Sequence, residues 1–236
     1  MTKTDNLDAD VVVIGFGAAG AAAAITAHDA GARVLMVEKM PETYAGGSTR
    51  VSGNVWFCPT DPETALRYLK NLCGEYPIAQ ELMRAWADET AHNTQWVESL
   101  GADVGLMEVP VEFAEVPGRE CDDGFHHVGP AWGMGRLYNA LKSAVAKRGI
   151  QVSYNTRARQ LLRDPKTNAV VGLAADQDGR AIEIRARRGV VLASGGFANN
   201  SELVRTFLRL PEACPWGSPA STGDGLVMAQ EARAAL

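Results

Sequence analysis

The stretch from Asp10 to Lys39, DVVVIGFGAAGAAAAITAHDAGARVLMVEK, constrains this chain more than any other. An apolar run, Val11–Ile14, ends on Gly15-Phe16-Gly17-Ala18-Ala19-Gly20. An Ala-rich run follows to about Ala30, Gly31 breaks it, and a second apolar run, Val34–Val37, ends at Glu38. The pattern predicts strand, tight turn, helix and strand, the order of a dinucleotide-binding βαβ unit. Gly15 is expected to permit the sharp turn, and Gly17 to let the backbone approach a pyrophosphate. Gly20, with Ala21–Ala24, is expected to let the helix pack closely on the strand. The helix N-terminus would offer N–H groups and a positive dipole end to phosphates. Glu38, eighteen residues after Gly20, stands where a carboxylate accepts hydrogen bonds from an adenosine ribose. Its charge would repel a 2′-phosphate. A glycine-rich turn without a nucleotide is the plain alternative, and the flanking strands with the acid in register argue against it.

A chain of 236 residues can bury a sizeable core, as one large domain or two small ones. With a net charge of −5 and no basic tract, nothing points to a nucleic-acid or anionic-membrane partner. Cys58, Cys73, Cys121 and Cys214 stand far apart with no CxxC pair, so neither a metal site nor a redox dithiol is expected. Reduced thiols in a cytoplasmic protein follow. The first ten residues carry acids rather than a basic region, and the apolar run soon becomes the glycine turn. Neither a signal peptide nor a membrane span is therefore read.

After Lys39, the loop Gly46-Gly47-Ser48-Thr49-Arg50-Val51-Ser52-Gly53 combines two glycines that admit close backbone approach with hydroxyl and N–H donors at Ser48, Thr49 and Ser52. Alone it is a solvated loop; after a nucleotide-binding unit, it becomes a candidate for a second ligand contact. Asp61-Pro62 is a helix start, with Leu66, Leu69 and Leu72 as its stripe. A longer helix over Ile78–Leu100 is expected to bury Leu82, Met83, Trp86, Trp96 and Val97 and to stop at Gly101. Residues 102–130 read as irregular. His126-His127 lies there, and with no carboxylate or Cys at ligand spacing the pair is not read as a metal site; a place lining a cleft stays open. Met134–Arg148 has helical periodicity with Leu137, Leu141, Ala144 and Val145 inward, and Gly149 ends it. Ile150–Tyr154 alternates as a strand joining the first parallel sheet. Val170–Ala175 and Ala181–Ala186 form a hairpin around Asp176–Gly179. Gly189–Ala193 is a further apolar strand, running into Ser194-Gly195-Gly196-Phe197. Ser221-Thr222-Gly223-Asp224-Gly225 opens the last helix, where Asp224 is either an N-cap or a cofactor contact.

Taken together, GFGAAG (15–20), VEK (37–39), GGSTRVSG (46–53), ASGGF (193–197) and TGDG (222–225) resemble the flavoprotein family of fumarate reductase, succinate dehydrogenase, L-aspartate oxidase and 3-ketosteroid dehydrogenase. They span nearly the whole chain in the family's order. The resemblance implies an α/β fold: a Rossmann-like FAD-binding domain over residues 1–236, with a parallel sheet, a β-meander and a helical or irregular insertion at 61–130. It implies FAD, with Gly15, Gly17, Ala18, Ala19 and Gly20 around the pyrophosphate, Glu38 on the adenosine ribose and Lys39 beside it. Gly46, Gly47, Ser48, Thr49, Ser52 and Gly53 would line the pyrophosphate and isoalloxazine. Ala158 would meet adenine, the Ser194-Gly195-Gly196 turn would approach the cofactor, and Asp224 would contact flavin. No histidine in the GGST stretch offers the covalent attachment of succinate dehydrogenase, so FAD would be non-covalent.

Two departures accompany the resemblance. Family members are much longer, with a substrate-capping domain and catalytic residues beyond the TGDG helix. This chain stops at Leu236, read as inside that helix without a C-cap, so it resembles a truncated N-terminal portion. Surface left by the missing half would favour self-association. Ketosteroid dehydrogenases carry a catalytic tyrosine after the long helix, whereas Pro110-Val111-Glu112-Phe113 supplies Phe113 and no hydroxyl. The leading reading is a flavin oxidoreductase passing hydride between FAD and a small organic substrate such as an enone, a ketosteroid or an unsaturated carboxylate. Its catalytic residues are unassigned. An NAD-dependent dehydrogenase would leave GGSTRVSG and TGDG idle, and a nucleotide-binding module without catalysis is the third reading.

Overall fold

The computed structural model describes residues 6–109, 113, 115–212 and 214–234. It divides into two compact units, one of residues 1–52 with 141–236 and the other of residues 53–140.

The first unit is built on a six-stranded sheet. Its strands are β1 (Asn6–Ile14), β2 (Val34–Val37), β6 (Gln151–Ser153), β7 (Thr156–Arg163), β8 (Val170–Gln177) and β9 (Arg180–Leu192), in the order β6-β2-β1-β9-β8-β7. β6, β2, β1 and β9 run parallel, and β9, β8 and β7 form an antiparallel meander. Helix α1 (Ala18–Asp29) is the crossover between β1 and β2; its Ala21, Ala24 and Ile25 are fully buried. Small side chains permit this closeness, and the apolar runs of β1 and β2 supply the facing core: Val12, Val13, Leu35, Met36 and Val37 are all under 5% exposed. The β6 strand joins β2 in parallel, as the Ile150–Tyr154 alternation predicts.

The hairpin expected around Asp176–Gly179 forms, with a two-residue turn. Asp178 and Gly179 both adopt left-handed φ, 47° and 80°, as a type I′ turn requires. The two strands expected at 181–186 and 189–193, however, are one continuous strand. The first half of β9 pairs with β8 and the second half continues along β1 to Leu192. Arg187-Arg188 reads as a break because two charges interrupt the apolar run; Arg187 instead reaches across to Asp8 on β1 (2.6 Å).

The last helix, α8 (Asp224–Glu231), closes on Ala232, whose N–H reaches the carbonyls of Gln230 and Met228. This corrects the expectation that the chain stops inside an uncapped helix. Arg148 makes a bidentate pair with Asp29 at the end of α1 (2.8 and 2.9 Å).

The second unit holds α3 (Pro62–Cys73), α4 (Gln80–Thr90) and α5 (Asn93–Ser99), and a small antiparallel sheet ordered β3-β5-β4. Those strands are β3 (Val55–Trp56), β4 (Val104–Met107) and β5 (Phe125–Val128). Helix α6 (Arg136–Lys147) passes from this unit into the first, and a five-residue helix α2 (Gly47–Val51) and a three-residue α7 (Ser201–Leu203) belong to the first. Asp61 caps α3 as its sequence predicts, accepting from Thr64 N–H at 2.9 Å, with Pro62 in the first turn.

Three expectations are corrected here. The helix over 78–100 is two helices, interrupted at Ala91–His92. Leu72 and Leu82 are exposed, and the interior is made instead by Ala65, Leu66, Tyr68, Ala87 and Cys121 with Phe57, Met83, Trp86 and Val116. Residues 102–130 are not wholly irregular, since they hold β4 and β5, strands too short for alternation to stand out among Pro and Gly. Pro110, Val111 and Glu112 lie outside the described residues; Phe113 is exposed.

Candidate functional site

The chain order reverses at β1: β2 and β6 lie to one side and β9 to the other. In open parallel sheets such a switch leaves a crevice beyond the carboxyl ends of the strands. A cleft of about 400 Å³ lies there, bounded by the last residues of β1, β2 and β9, Ile14, Val37 and Leu192.

Its floor is the glycine turn. Gly15 has φ of 101°, and a Cβ there would stand 2.4 Å from the carbonyl oxygen of Ala193, so only glycine fits between the ends of β1 and β9. A Cβ on Gly20 would stand 1.9 Å from the carbonyl oxygen of Gly15, so this glycine seats α1 on the turn. Gly17 differs. Its φ of −91° suits any residue, and a Cβ would make only ordinary contacts, 3.5 Å from Thr49 Oγ1 and 3.7 Å from the Gly46 carbonyl oxygen. Among the described residues, no close contact requires glycine at 17, the N-cap of α1.

Glu38 closes one side of the turn. It is 6% exposed, and its carboxylate accepts from Phe16 N–H through Oε2 and from Met40 N–H through Oε1, both at 2.8 Å. Its backbone is held by Ser153 and Thr156 (both 2.9 Å). Two hydrogen bonds leave lone pairs on both oxygens for a further donor. The first N–H of α1, that of Ala18, donates to Thr49 Oγ1 at 2.9 Å, joining α1 to the loop that carries α2.

The opposite wall is an ion cluster. Asp224 Oδ1 accepts from Arg157 (2.9 Å) and Oδ2 from Lys39 Nζ (3.0 Å), while Lys39 also donates to Thr222 Oγ1 (2.7 Å). Burial of Asp224 works against its charge, but hydrogen bonds from Arg157 and Lys39 outweigh it and hold the carboxyl below its usual range. Gly223, in the left-handed region, occupies the N-cap position, so Asp224 is not the N-cap. Gly225 lets α8 press on the Ser194 turn, where a Cβ would meet Ser194 Oγ at 2.1 Å.

Of the residues singled out in the sequence, Gly15, Gly17, Ala18, Ala19, Glu38, Lys39, Gly47, Ser48, Thr49, Ala158, Ser194, Gly195 and Asp224 line the cleft. Gly20, Gly46, Ser52 and Gly196 lie outside its lining; Ser52 donates to the Thr49 carbonyl (3.2 Å). Gly53 belongs to the other unit. Sequence reasoning missed Thr156, Ser218 and Ser221 in the lining, and Arg157 as the partner of Asp224. No local signal marks them, because each is brought in by strand pairing or from distant loops.

Residues 10–236 match the family described as FAD binding domain. The chain belongs to that family, and FAD is its cofactor. Vinyl phenol reductase of Lactiplantibacillus plantarum is 28% identical over 246 residues, covering 99% of this chain and 48% of that protein. Fumarate reductase (cytochrome) of Shewanella frigidimarina is 29% identical over 240 residues, covering 96% and 40%. Among solved structures, 3-ketosteroid-Δ4-(5α)-dehydrogenase of Rhodococcus jostii RHA1 superimposes with a TM-score of 0.84 at 27% identity, over 100% of this chain and 56% of the other. The chain thus spans about half the length of the relatives it matches. Among the described residues, no helix is long and apolar enough to cross a membrane.

In the second unit, the reading of His126-His127 needs correction. Asp122 and Asp123 stand four and three residues before His126, and their carboxylates converge with its ring. A carboxylate pair at ligand spacing is therefore present. Burial pushes the Asp122 carboxyl above its usual range.

Proposed function

We propose that this chain is the cofactor-holding part of an FAD-dependent oxidoreductase that transfers hydride between a substrate carbon and the flavin. Gly17 is the observation that carries the reading: it lines the cleft in the Gly15–Gly20 turn, its φ does not demand glycine, and a Cβ there would meet only ordinary contacts, so no close packing among the described residues accounts for the missing side chain. A cradle kept free of a side chain suits a pyrophosphate, which the N-terminus of α1 would stabilise. Glu38 would accept from the adenosine ribose hydroxyls with its spare lone pairs, and Ala158, beside Glu38 in the cleft wall, would lie along adenine. Gly47, Ser48 and Thr49 would line the pyrophosphate and the ring end, and the Ser194-Gly195 turn would approach the ring. Among the described cleft residues none is His, Cys or Tyr, which supports non-covalent attachment.

FAD supplies the hydride-transfer chemistry when bound; the protein supplies binding, orientation and electrostatics. The residues of this chain fall into that second group. Lys39 and Arg157 both pair with Asp224, so this wall is cross-linked and keeps one net positive charge, which suits an anionic cofactor. Glu38 is already engaged by two backbone N–H groups. The other described lining residues carry no ionisable side chain, so proton transfer to substrate carbon is assigned outside this lining. The substrate class proposed from the relatives is a conjugated or unsaturated carbonyl or carboxylate compound. Location in the cytoplasm, and self-association through exposed Phe207, Leu208, Leu210 and Trp216, are further proposals. The redox reading is tested by reducing bound flavin photochemically without oxygen and adding fumarate or a ketosteroid enone. Slow, non-saturable reoxidation fits a cofactor-holding chain lacking its proton donor. Rapid, saturable reoxidation would contradict the assignment of proton transfer elsewhere.

A further inference from the structure

We propose that Asp122, Asp123 and His126 form a site for a divalent transition-metal cation, with Zn²⁺ the ion their donors fit best. The site lies wholly within the second unit and is independent of the FAD cleft's chemistry.

The chain builds it locally. Asp122 follows the short helical turn Arg119–Cys121 and accepts from Gly124 N–H through Oδ1 at 3.3 Å. That turn, with Gly124 at φ of 150° packed against the Met107 carbonyl, brings both carboxylates back over the start of β5. One ligand atom from each of Asp122, Asp123 and His126 lies within 4.8 Å of the other two. His126 Nε2 is 3.8 Å from the nearer Asp123 oxygen, too long for a hydrogen bond. Zinc takes imidazole nitrogen and carboxylate oxygen at about 2.0–2.2 Å, which puts tetrahedral donors roughly 3.3–3.5 Å apart. The donors stand within 4.8 Å of one another, so binding requires them to close by about an ångström.

A second observation points to a ligand. Asp122 Oδ2 and His126 Nε2 are buried atoms with no hydrogen-bond partner. Buried polar atoms are nearly always partnered. These two belong to residues whose ligand atoms approach one another within 4.8 Å, and one cation between them would satisfy both. The His126 ring is held in place: Trp56, its cross-strand neighbour on β3, stacks on it at 6.3 Å and 22°, and Trp56 Nε1 donates to Thr94. His127 takes no part, since alternation turns it to the other face of β5, over Gly105. The Asp123 side chain is 54% exposed and gives a cation a route in from solvent. A set of one imidazole and two carboxylates without thiolate favours Zn²⁺ or Mn²⁺ over Cu(I) or an iron–sulfur cluster. Three protein donors leave a position for water.

The test uses the full chain, stripped with chelator and given ZnCl₂, followed by desalting, metal analysis and competition with a chromophoric chelator. One equivalent is expected to be retained. Asp123→Asn, at an exposed position that should not disturb folding, and His126→Gln should each weaken binding at least about tenfold, while His92→Gln should leave it unchanged. Circular dichroism confirms that each variant is folded. Failure to retain zinc, or retention that neither Asp123→Asn nor His126→Gln weakens, would overturn the site.

Discussion

Glu38 Oε2 lies 2.8 Å from the backbone nitrogen of Phe16, so the carboxylate ending β2 holds the centre of the glycine turn that ends β1. The same group is proposed to receive the ribose. Glu38→Ala should therefore do two things at once. It removes the carboxylate that accepts from the Phe16 and Met40 N–H groups, which costs about 1–3 kcal/mol of apo stability. It also removes charge-assisted bonds to ribose, lowering FAD affinity by about tenfold to a hundredfold. Urea unfolding without flavin and flavin titration separate the two effects. Unchanged apo stability would show that the clamp contributes nothing to the fold.

The three turn glycines should separate experimentally. Gly20→Ala forces a Cβ to within 1.9 Å of a backbone oxygen and should destabilise the apo protein, with the loss of affinity secondary. Gly17→Val should cost the apo protein less than Gly20→Ala, chiefly a poorer N-cap on α1, and lose FAD binding, because a Cβ at 17 meets only ordinary contacts within the protein while its methyl groups intrude on the cleft. Melting curves beside fluorescence titrations compare them. A Gly17→Val protein that is folded and binds FAD normally would refute the cradle.

Asp29 gives a pH dependence of known sign. The hydrogen bond from Arg148, then that from His28, lowers its pKa from 3.8 to about 2. A folded value below the unfolded one contributes stability that is present above pH 3.8 and lost as pH falls toward about 2. The difference in thermal midpoint between the native chain and Asp29→Asn should thus be full near neutrality and shrink across that window. A difference constant down to pH 2 would mean that the pair does not act through charge.

The four thiols should react in an order set by burial. Cys214 is exposed, Cys73 half-buried, and Cys58 and Cys121 buried, with burial pushing the Cys121 thiol up to about 11. Mass spectrometry after brief alkylation should find Cys214 labelled first, then Cys73. Cys58 and Cys121 should label only on unfolding. Early labelling of Cys121 would contradict the packing of α3 and α4 around it.

What the sequence revealed was what sits close together in it. Gly15–Gly20, the apolar runs and Glu38 report on one another over some thirty residues, and the Asp178-Gly179 turn announces its hairpin alone. Asp224 could not be read this way. Its partners Lys39 and Arg157 lie 185 and 67 residues away, and only the packing of α8 beside β7 and the end of β2 brings them together. The continuity of β9 was hidden because Arg187 and Arg188 look like a break. The exposure of Leu82 was hidden because a helical stripe does not say which helix will cover it. Asp122 and Asp123 are a different case: their spacing to His126 is plain in the sequence, and the turn at Gly124 makes it count.

The central claim is that the cleft at the ends of β1, β2 and β9 holds FAD. Purified protein saturated with flavin, desalted, denatured and chromatographed tests it directly. The account predicts release of FAD close to one equivalent per chain, with no covalently retained flavin in the precipitate. Recovery of FMN or a nicotinamide nucleotide instead, or of no flavin after saturation, would contradict it.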